Sequence, residues 1–226
     1  MALDGRIDYT GEGLAEADLA PTPLQQIAGW VEAAVARHAQ HGDVPEPMAL
    51  SVATVDATGQ PDVRTVLMRM LEPRGVGFLT NLESAKGDQI RADARVAASL
   101  VWPSMFRAVR LQGVAVPVER EAVAAYFRSR PWSSRISAWA SAQSRPASSR
   151  EDLERQHEEY AARFPDHGGL DDVPVPDFWG GYWVEPHRVE FWAGRPSRLH
   201  DRLVLTRTRE GDLSDASAWT LTRLQP

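Results

Sequence analysis

Three stretches of this chain carry more arginine, serine and aromatic side chains than an ordinary surface needs, and each could hold an anion. In Arg64-Thr65-Val66-Leu67-Met68-Arg69 two guanidiniums bracket an apolar strand core. That suits an anion beside a flat apolar ligand, and it would equally suit a solvated strand edge. The second stretch is Tyr126-Phe127-Arg128-Ser129-Arg130-Pro131, running on through Ser134, Trp139, Gln143, Ser144 and Arg145. Arginine forks with tyrosine and serine hydroxyls form the donor set of a phosphate-ester site, provided that a helix end and a following loop converge. Otherwise the same residues make a polar loop closing onto the rest of the fold. The third stretch, Val189 to Arg202, has the strongest pattern. In an extended segment Arg198, His200 and Arg202 alternate and would share one face beside Trp192, a site for an anionic aromatic ligand. A plain strand rarely stacks like charges in this way.

Composition narrows the partners. Of the 25 basic residues only Lys86 is a lysine. It follows Ser84-Ala85 at the start of a short predicted helix, where backbone donors favour an anion. The net charge of -6 argues against nucleic acid as the main partner. With no cysteine there is no disulfide, thiolate metal site or cysteine nucleophile. His38 and His41 fall at a helix end, where they read as favourable cations rather than metal ligands. No apolar run reaches the roughly 20 residues of a membrane helix. Met1 to Thr10, with Asp4, Arg6 and Asp8, does not read as a signal peptide. A cytoplasmic setting is expected.

The elements that must position these residues are mostly short strands. Residues 1–20 read as an arm. Thr22, Pro23 and Gln25 predict a helix start with a capping box, followed by an apolar face of Leu24, Ile27, Ala28, Val31, Ala34 and Val35. Strands are predicted at Met48–Val55, Val63–Met70, Val76–Thr80, Val96–Trp102 and Ala108–Val116, with a helix over about Lys86–Ala94. Helices follow at Glu119–Arg128 and Ser148–Phe164, the latter capped by Ser148 with Glu151. The end returns to strands at Gly181–Glu185, Arg188–Ala193, Leu203–Arg207 and Trp219–Leu224. Consecutive hairpins with few helices predict one mainly β domain over 1–226, an antiparallel barrel with flanking helices. The sequence contains neither GxGxxG nor GxxxxGK[ST], which argues against a Rossmann or P-loop site.

The same motifs carry a family resemblance. Arg64 to Arg69, the Ser-Arg-Pro at 129–131, the run 138–145, Phe178-Trp179-Gly180-Gly181, Glu190-Phe191-Trp192, Arg198-Leu199-His200-Asp201-Arg202 and the ending Arg223-Leu224-Gln225-Pro226 closely resemble the pyridoxine 5′-phosphate oxidase family. The match runs in order from about Arg6 to Pro226. It implies an FMN-binding split β-barrel, assembled as a homodimer with two FMN molecules at the subunit interface. By position, Arg64, Val66, Leu67, Thr80, Lys86, Gln143, Ser144, Trp192 and Arg202 match flavin-contacting residues. Tyr126, Arg130, Ser134, Arg198 and His200 match those that hold the pyridoxal-phosphate product. Arg6 and Tyr9 match arm residues that close over the substrate. Arg69, where a lysine usually meets substrate phosphate, is assigned to both the cofactor and the substrate set. Leu79 replaces a frequent aromatic, and Ala85 and Ala108 replace an arginine and a glutamine that usually help to hold FMN.

The resemblance implies oxidation of pyridoxine 5′-phosphate or pyridoxamine 5′-phosphate to pyridoxal 5′-phosphate, with O2 as acceptor and hydrogen peroxide released. The cofactor carries that chemistry, and the protein supplies orientation and charge. Arg198 and His200 are the catalytic candidates, orienting the ring and assisting proton transfer. Two alternatives are a flavin oxidase of secondary metabolism and a non-catalytic binder of flavin or pyridoxal phosphate. Intact Tyr126, Arg130 and Ser134 count against the first; Ala85 and Ala108 motivate the second.

Overall fold

The β-prone runs separated by tight turns close on themselves. The computed structural model describes residues 8–226, so Arg6 lies outside the described residues. Six strands form the barrel: β1 (Ala49–Val55), β2 (Pro61–Glu72), β3 (Gly75–Asn81), β4 (Arg95–Trp102), β5 (Arg107–Pro117) and β6 (Trp179–Ala193). Their order is β3-β2-β1-β4-β5-β6, every pairing is antiparallel, and β3 pairs back onto β6 to close the ring. The last two strands, β7 (Asp201–Arg207) and β8 (Trp219–Arg223), extend the sheet beyond β6. This is the expected antiparallel split barrel. Period-two burial shows why: along β5, Val109, Leu111 and Ala115 are buried while Arg110, Gln112 and Val114 face out.

Two irregularities shape the barrel. The ladder between β2 and β3 shifts between Met68 and Met70, so Arg69 stands at a bulge. The extra residue re-aims the strand: Met68 and Leu71 meet the main core, whereas Met70 packs with Val118, Val123 and Trp183 outside it. The second irregularity corrects the sequence expectation of two strands at 181–185 and 188–193. They are one continuous strand, because Pro186 sits where the β5–β6 register shifts between Gln112 and Gly113. Glycine is required opposite it, since a Cβ at Gly113 would lie 2.1 Å from the Glu185 carbonyl oxygen.

Helix α1 (Pro23–His41) begins as predicted, with the Thr22 hydroxyl accepting from Gln25 N, and stops at Gly42 in a left-handed conformation. Its buried face is Ile27, Trp30, Val31 and Ala34, while Val35 is exposed. Helix α2 (Ala85–Ala92) packs on β1 and buries Ile90 in the main core, and α3 (Arg120–Ser129) leads into α4 (Trp132–Ala140). The loop expected after α3 is therefore largely helical. Trp132, Ile136 and Trp139 recur at i, i+4 and i+7 and pack, with Phe127 and Val173, into a second cluster. Helix α5 (Arg150–Arg163) packs on α4 and is capped by Ser149 rather than Ser148, its hydroxyl accepting from Asp152 N.

Candidate active site

Strand β2, the end of β3, the start of α2, the end of α3 and the 143–144 turn enclose a cleft of about 550 Å³. Val66, Leu67, Leu79 and Trp179 supply its apolar wall. Arg64, Arg69, Thr80, Lys86, Tyr126, Arg130, Gln143 and Ser144 supply the polar one. The first two stretches singled out in the sequence thus converge with Lys86, although they lie far apart along the chain.

Lys86 is almost fully buried, and its ammonium donates to Thr80 Oγ1 at 3.0 Å, Ser84 Oγ at 2.9 Å and Gln143 Oε1. All three partners are neutral. Burial, with the neighbouring Arg64 charge as a lesser cause, pulls its pKa down to about 8. The Ser84 hydroxyl donates to Asn81 O at 2.7 Å and makes no cap bond to α2, so it does not cover the first amides of that helix. Arg64 is fixed from below, donating to Val52 O at 3.1 Å, Thr54 Oγ1 at 2.6 Å and Gln89 Oε1 at 2.8 Å, with Asp62 as its ion-pair partner. Arg130 lies over the Trp179 ring, 4.5 Å from its centroid, and its Nη1 is buried without a hydrogen-bond partner. Burial pushes the Arg130 pKa below the usual guanidinium range. A cation buried among neutral groups favours an anion, and a guanidinium with an unpartnered Nη1 lines the same cleft.

The third stretch does not join this cleft within the protomer. Nor do Arg198, His200 and Arg202 alternate along a strand. Pro196–Arg198 is a tight 3-10 turn, with Ser197 at φ 58° and Arg198 at φ 61°, and only Arg202 belongs to β7. Arg202 turns onto buried Glu190, donating at 2.8 and 3.1 Å. Arg198 is exposed. His200 Nδ1 accepts from Arg195 N at 3.1 Å, and its ring lies tilted against Trp192 at 4.8 Å and edge-on to Tyr9 at 5.0 Å. The described part of the arm is thus docked here: Tyr9 also packs edge-on to Phe106, and Leu14 N donates to Asp201 at 2.9 Å. Ser134 lies half-buried on α4 and does not line the cleft. Ala85 and Leu79 do line it, whereas Ala108 pairs with Trp192 across the β5–β6 ladder.

Comparison with known proteins follows this geometry. A family model described as pyridoxamine 5′-phosphate oxidase matches residues 37–164, and one described as the pyridoxine 5′-phosphate oxidase C-terminal dimerisation region matches residues 179–226. The chain belongs to the pyridoxamine 5′-phosphate oxidase family of enzymes. Family members named pyridoxine/pyridoxamine 5′-phosphate oxidase include one from Cupriavidus taiwanensis, 41% identical over 99% of this chain and 98% of that protein. Another, from Kineococcus radiotolerans, is 45% identical over 98% of this chain and 97% of its own. Among solved structures, PhzG from Burkholderia lata 383, in complex with tetrahydrophenazine-1-carboxylic acid, superposes with a TM-score of 0.80 at 28% identity. It covers 96% of this chain and 100% of its own.

Within this member of the pyridoxamine 5′-phosphate oxidase family, motif reading missed three residues that hold the cleft together. Thr54 and Gln89 anchor Arg64, and Trp179 carries Arg130. The first two are ordinary strand and helix residues with no local signal. Trp179 could have been found, because it stands inside the Phe-Trp-Gly-Gly motif.

Proposed function

We propose that the cleft holds FMN and the phosphate of a pyridine substrate, and that the chain oxidises pyridoxine or pyridoxamine 5′-phosphate to pyridoxal 5′-phosphate. The observation that carries this reading is the pairing of buried Lys86 with the unpartnered Arg130 Nη1 across an apolar wall. The donor set fits two anionic groups. Lys86, Thr80, Gln143 and Ser144, beside the uncapped start of α2, would take the cofactor phosphate. Arg69, Tyr126 and Arg130 would take the substrate phosphate, with Ser134 adding a donor if α4 shifts toward it. Val66 and Leu67 would meet the flat ring system, and Arg64 would add charge beside it.

When bound, FMN would accept a hydride equivalent from the substrate's 4′ carbon and pass two electrons, with two protons, to dioxygen as hydrogen peroxide; with the amine substrate, water would hydrolyse the resulting imine and ammonia would leave. The chain's residues hold, orient and shield. Arg198 and His200 would orient the substrate ring and assist proton transfer. Because they and Trp192 stand away from the cleft of their own protomer, a second copy must bring them to it, along with Arg202. The match of residues 179–226 to a dimerisation region supports that assembly. Exposed Val63 and Val101, beside the polar groove of Ser51, Arg110 and Glu190, offer it a face. No helix among the described residues is long and apolar enough to cross a membrane.

The deciding experiment supplies FMN-loaded protein with pyridoxamine 5′-phosphate and measures peroxide and pyridoxal 5′-phosphate together. Stoichiometric formation of both is expected, with a homodimer in sedimentation. Protein that takes up no flavin, or a strict 25.0 kDa monomer that turns over normally, overturns the reading. The likeness to PhzG favours a second reading, oxidation of a non-phosphorylated ring acid; flavin reduction by such a ring but not by pyridoxamine phosphate would select it.

A further inference from the structure

Arg130 occupies an odd place for a guanidinium. It is half-buried, its Nη1 is enclosed without a partner, and the charge acting on it is a second cation, Arg69. No carboxylate pairs with it among the described residues, although most arginines lining this fold do have one, as Arg64, Arg74 and Arg202 show. What holds it is aromatic. The guanidinium carbon lies 4.5 Å from the Trp179 ring centroid and 5.7 Å from that of Phe127, and those two rings meet edge to face at 5.8 Å.

The platform is itself fixed. Trp179 is the first residue of β6, paired in register with Asn81 of β3. Its carbonyl accepts from Arg120 Nη1 at 2.7 Å, and its N–H donates to Pro176 O at 3.1 Å. Phe127 is completely buried. An indole face stabilises a cation through its quadrupole without consuming an N–H donor and without cancelling the charge. A carboxylate in the same place would do both, and would repel an incoming phosphate. Stacking also fixes the plane of the guanidinium, so its fork is set before the ligand arrives.

We infer that Trp179 is a positioning residue for the phosphate subsite: its ring carries Arg130 and keeps Nη1 free beside the cleft. This rests on the reading of the cleft as a phosphate-binding site. It adds a specificity element, since the benefit falls only on ligands that carry the phosphate.

The test titrates pyridoxal 5′-phosphate and unphosphorylated pyridoxal into FMN-loaded protein, alongside kcat and KM for pyridoxamine 5′-phosphate. Trp179→Leu removes the platform and should weaken pyridoxal 5′-phosphate binding roughly tenfold, with a similar rise in KM. Because Trp179 also belongs to the apolar wall, pyridoxal binding and flavin content should fall too, but by a clearly smaller factor, and kcat should fall less than KM rises. Trp179→Phe keeps a π-face and should stay within about threefold of wild type. Equal weakening of both ligands by Trp179→Leu, no weakening of either, or a Phe variant as poor as the Leu variant overturns the inference. If Trp179→Leu does not load flavin, Trp179→Met, which keeps more of the bulk, is read in its place; should both fail, the Phe variant alone decides. Arg130→Ala tests the underlying reading separately. If that variant still prefers the phosphorylated ligand as strongly as wild type, the phosphate subsite itself is misplaced.

Discussion

The cleft under α2 and the β6–β7 connection both concentrate cationic and aromatic side chains, yet they differ in what meets the charge. At the β6–β7 connection the groups are largely spoken for. Arg202 is bound twice by Glu190, Asp201 takes Leu14 N and Arg223, and His200 accepts from Arg195 N. In the cleft, Lys86 meets only neutral oxygens and Arg130 has a donor to spare. A charge met by a carboxylate is neutralised where it stands, whereas one met only by neutral oxygens still favours an incoming anion. On the proposed reading, the first region presents Trp192 and His200, and the second receives the anion.

This contrast can be broken by mutation, and the largest effect is expected at Lys86. Lys86→Ala should weaken FMN binding by about 3 kcal/mol, roughly 150-fold, and Lys86→Arg by less, because a planar fork fits a tight phosphate pocket poorly. Flavin fluorescence titration reads both. Unchanged affinity in Lys86→Ala would make the buried ammonium a purely structural donor.

His200→Ala and Arg198→Ala should each lower turnover by about 2 kcal/mol, roughly thirtyfold, while FMN stays bound. Steady-state kinetics with a flavin absorbance spectrum separate the two quantities. Loss of FMN in step with activity would place these residues at the cofactor instead.

A smaller effect is expected from pH. Lys86 titrates at about 8 in the folded chain, below its ordinary 10.5. An anion needs the charged form, so FMN should bind roughly tenfold more weakly at pH 9 than at pH 7. The sign for stability is opposite. Between pH 8 and 10.5 the unfolded chain holds this proton and the folded one has lost it, so the Lys86 contribution to flavin-free stability rises with pH. Lys86→Met should flatten both trends, read by flavin titration and by thermal melts; a variant retaining either slope would assign it to another group.

The smallest change is Glu190→Gln. It keeps the shape beneath Arg202 but removes the charge, and should weaken FMN binding by about 1 kcal/mol, roughly fivefold. A variant as poor as Lys86→Ala would show that Glu190 does more than hold its neighbour.

Much of this molecule is written locally. Thr22-Pro23 starts α1, alternating burial lays out β1, β4 and β5, and the sole lysine marks the cleft before any fold is known. Motif spacing also picked out Arg64, Arg69, Tyr126, Arg130, Gln143 and Ser144, which the fold does gather around one cleft. These features depend on neighbours within a few residues, or on side-chain chemistry that only one kind of ligand requires.

Long-range contact decided the rest. Nothing near Arg198 announces that Ser197 and Arg198 take positive φ, because neither is glycine; the β6–β7 connection imposes that turn and cancels the expected alternation. Arg64 owes its fixed position to Thr54 and Gln89, 10 and 25 positions away, which no local pattern names, and Arg130 owes its own to Trp179, 49 positions away, whose motif does not say which side chain it carries. Residue types determined which chemistry this chain could perform. Barrel closure, by pairing β3 with β6, decided which donors would be buried, which would be satisfied and which would be left free, because only packing sets the dielectric and the partners of a charge.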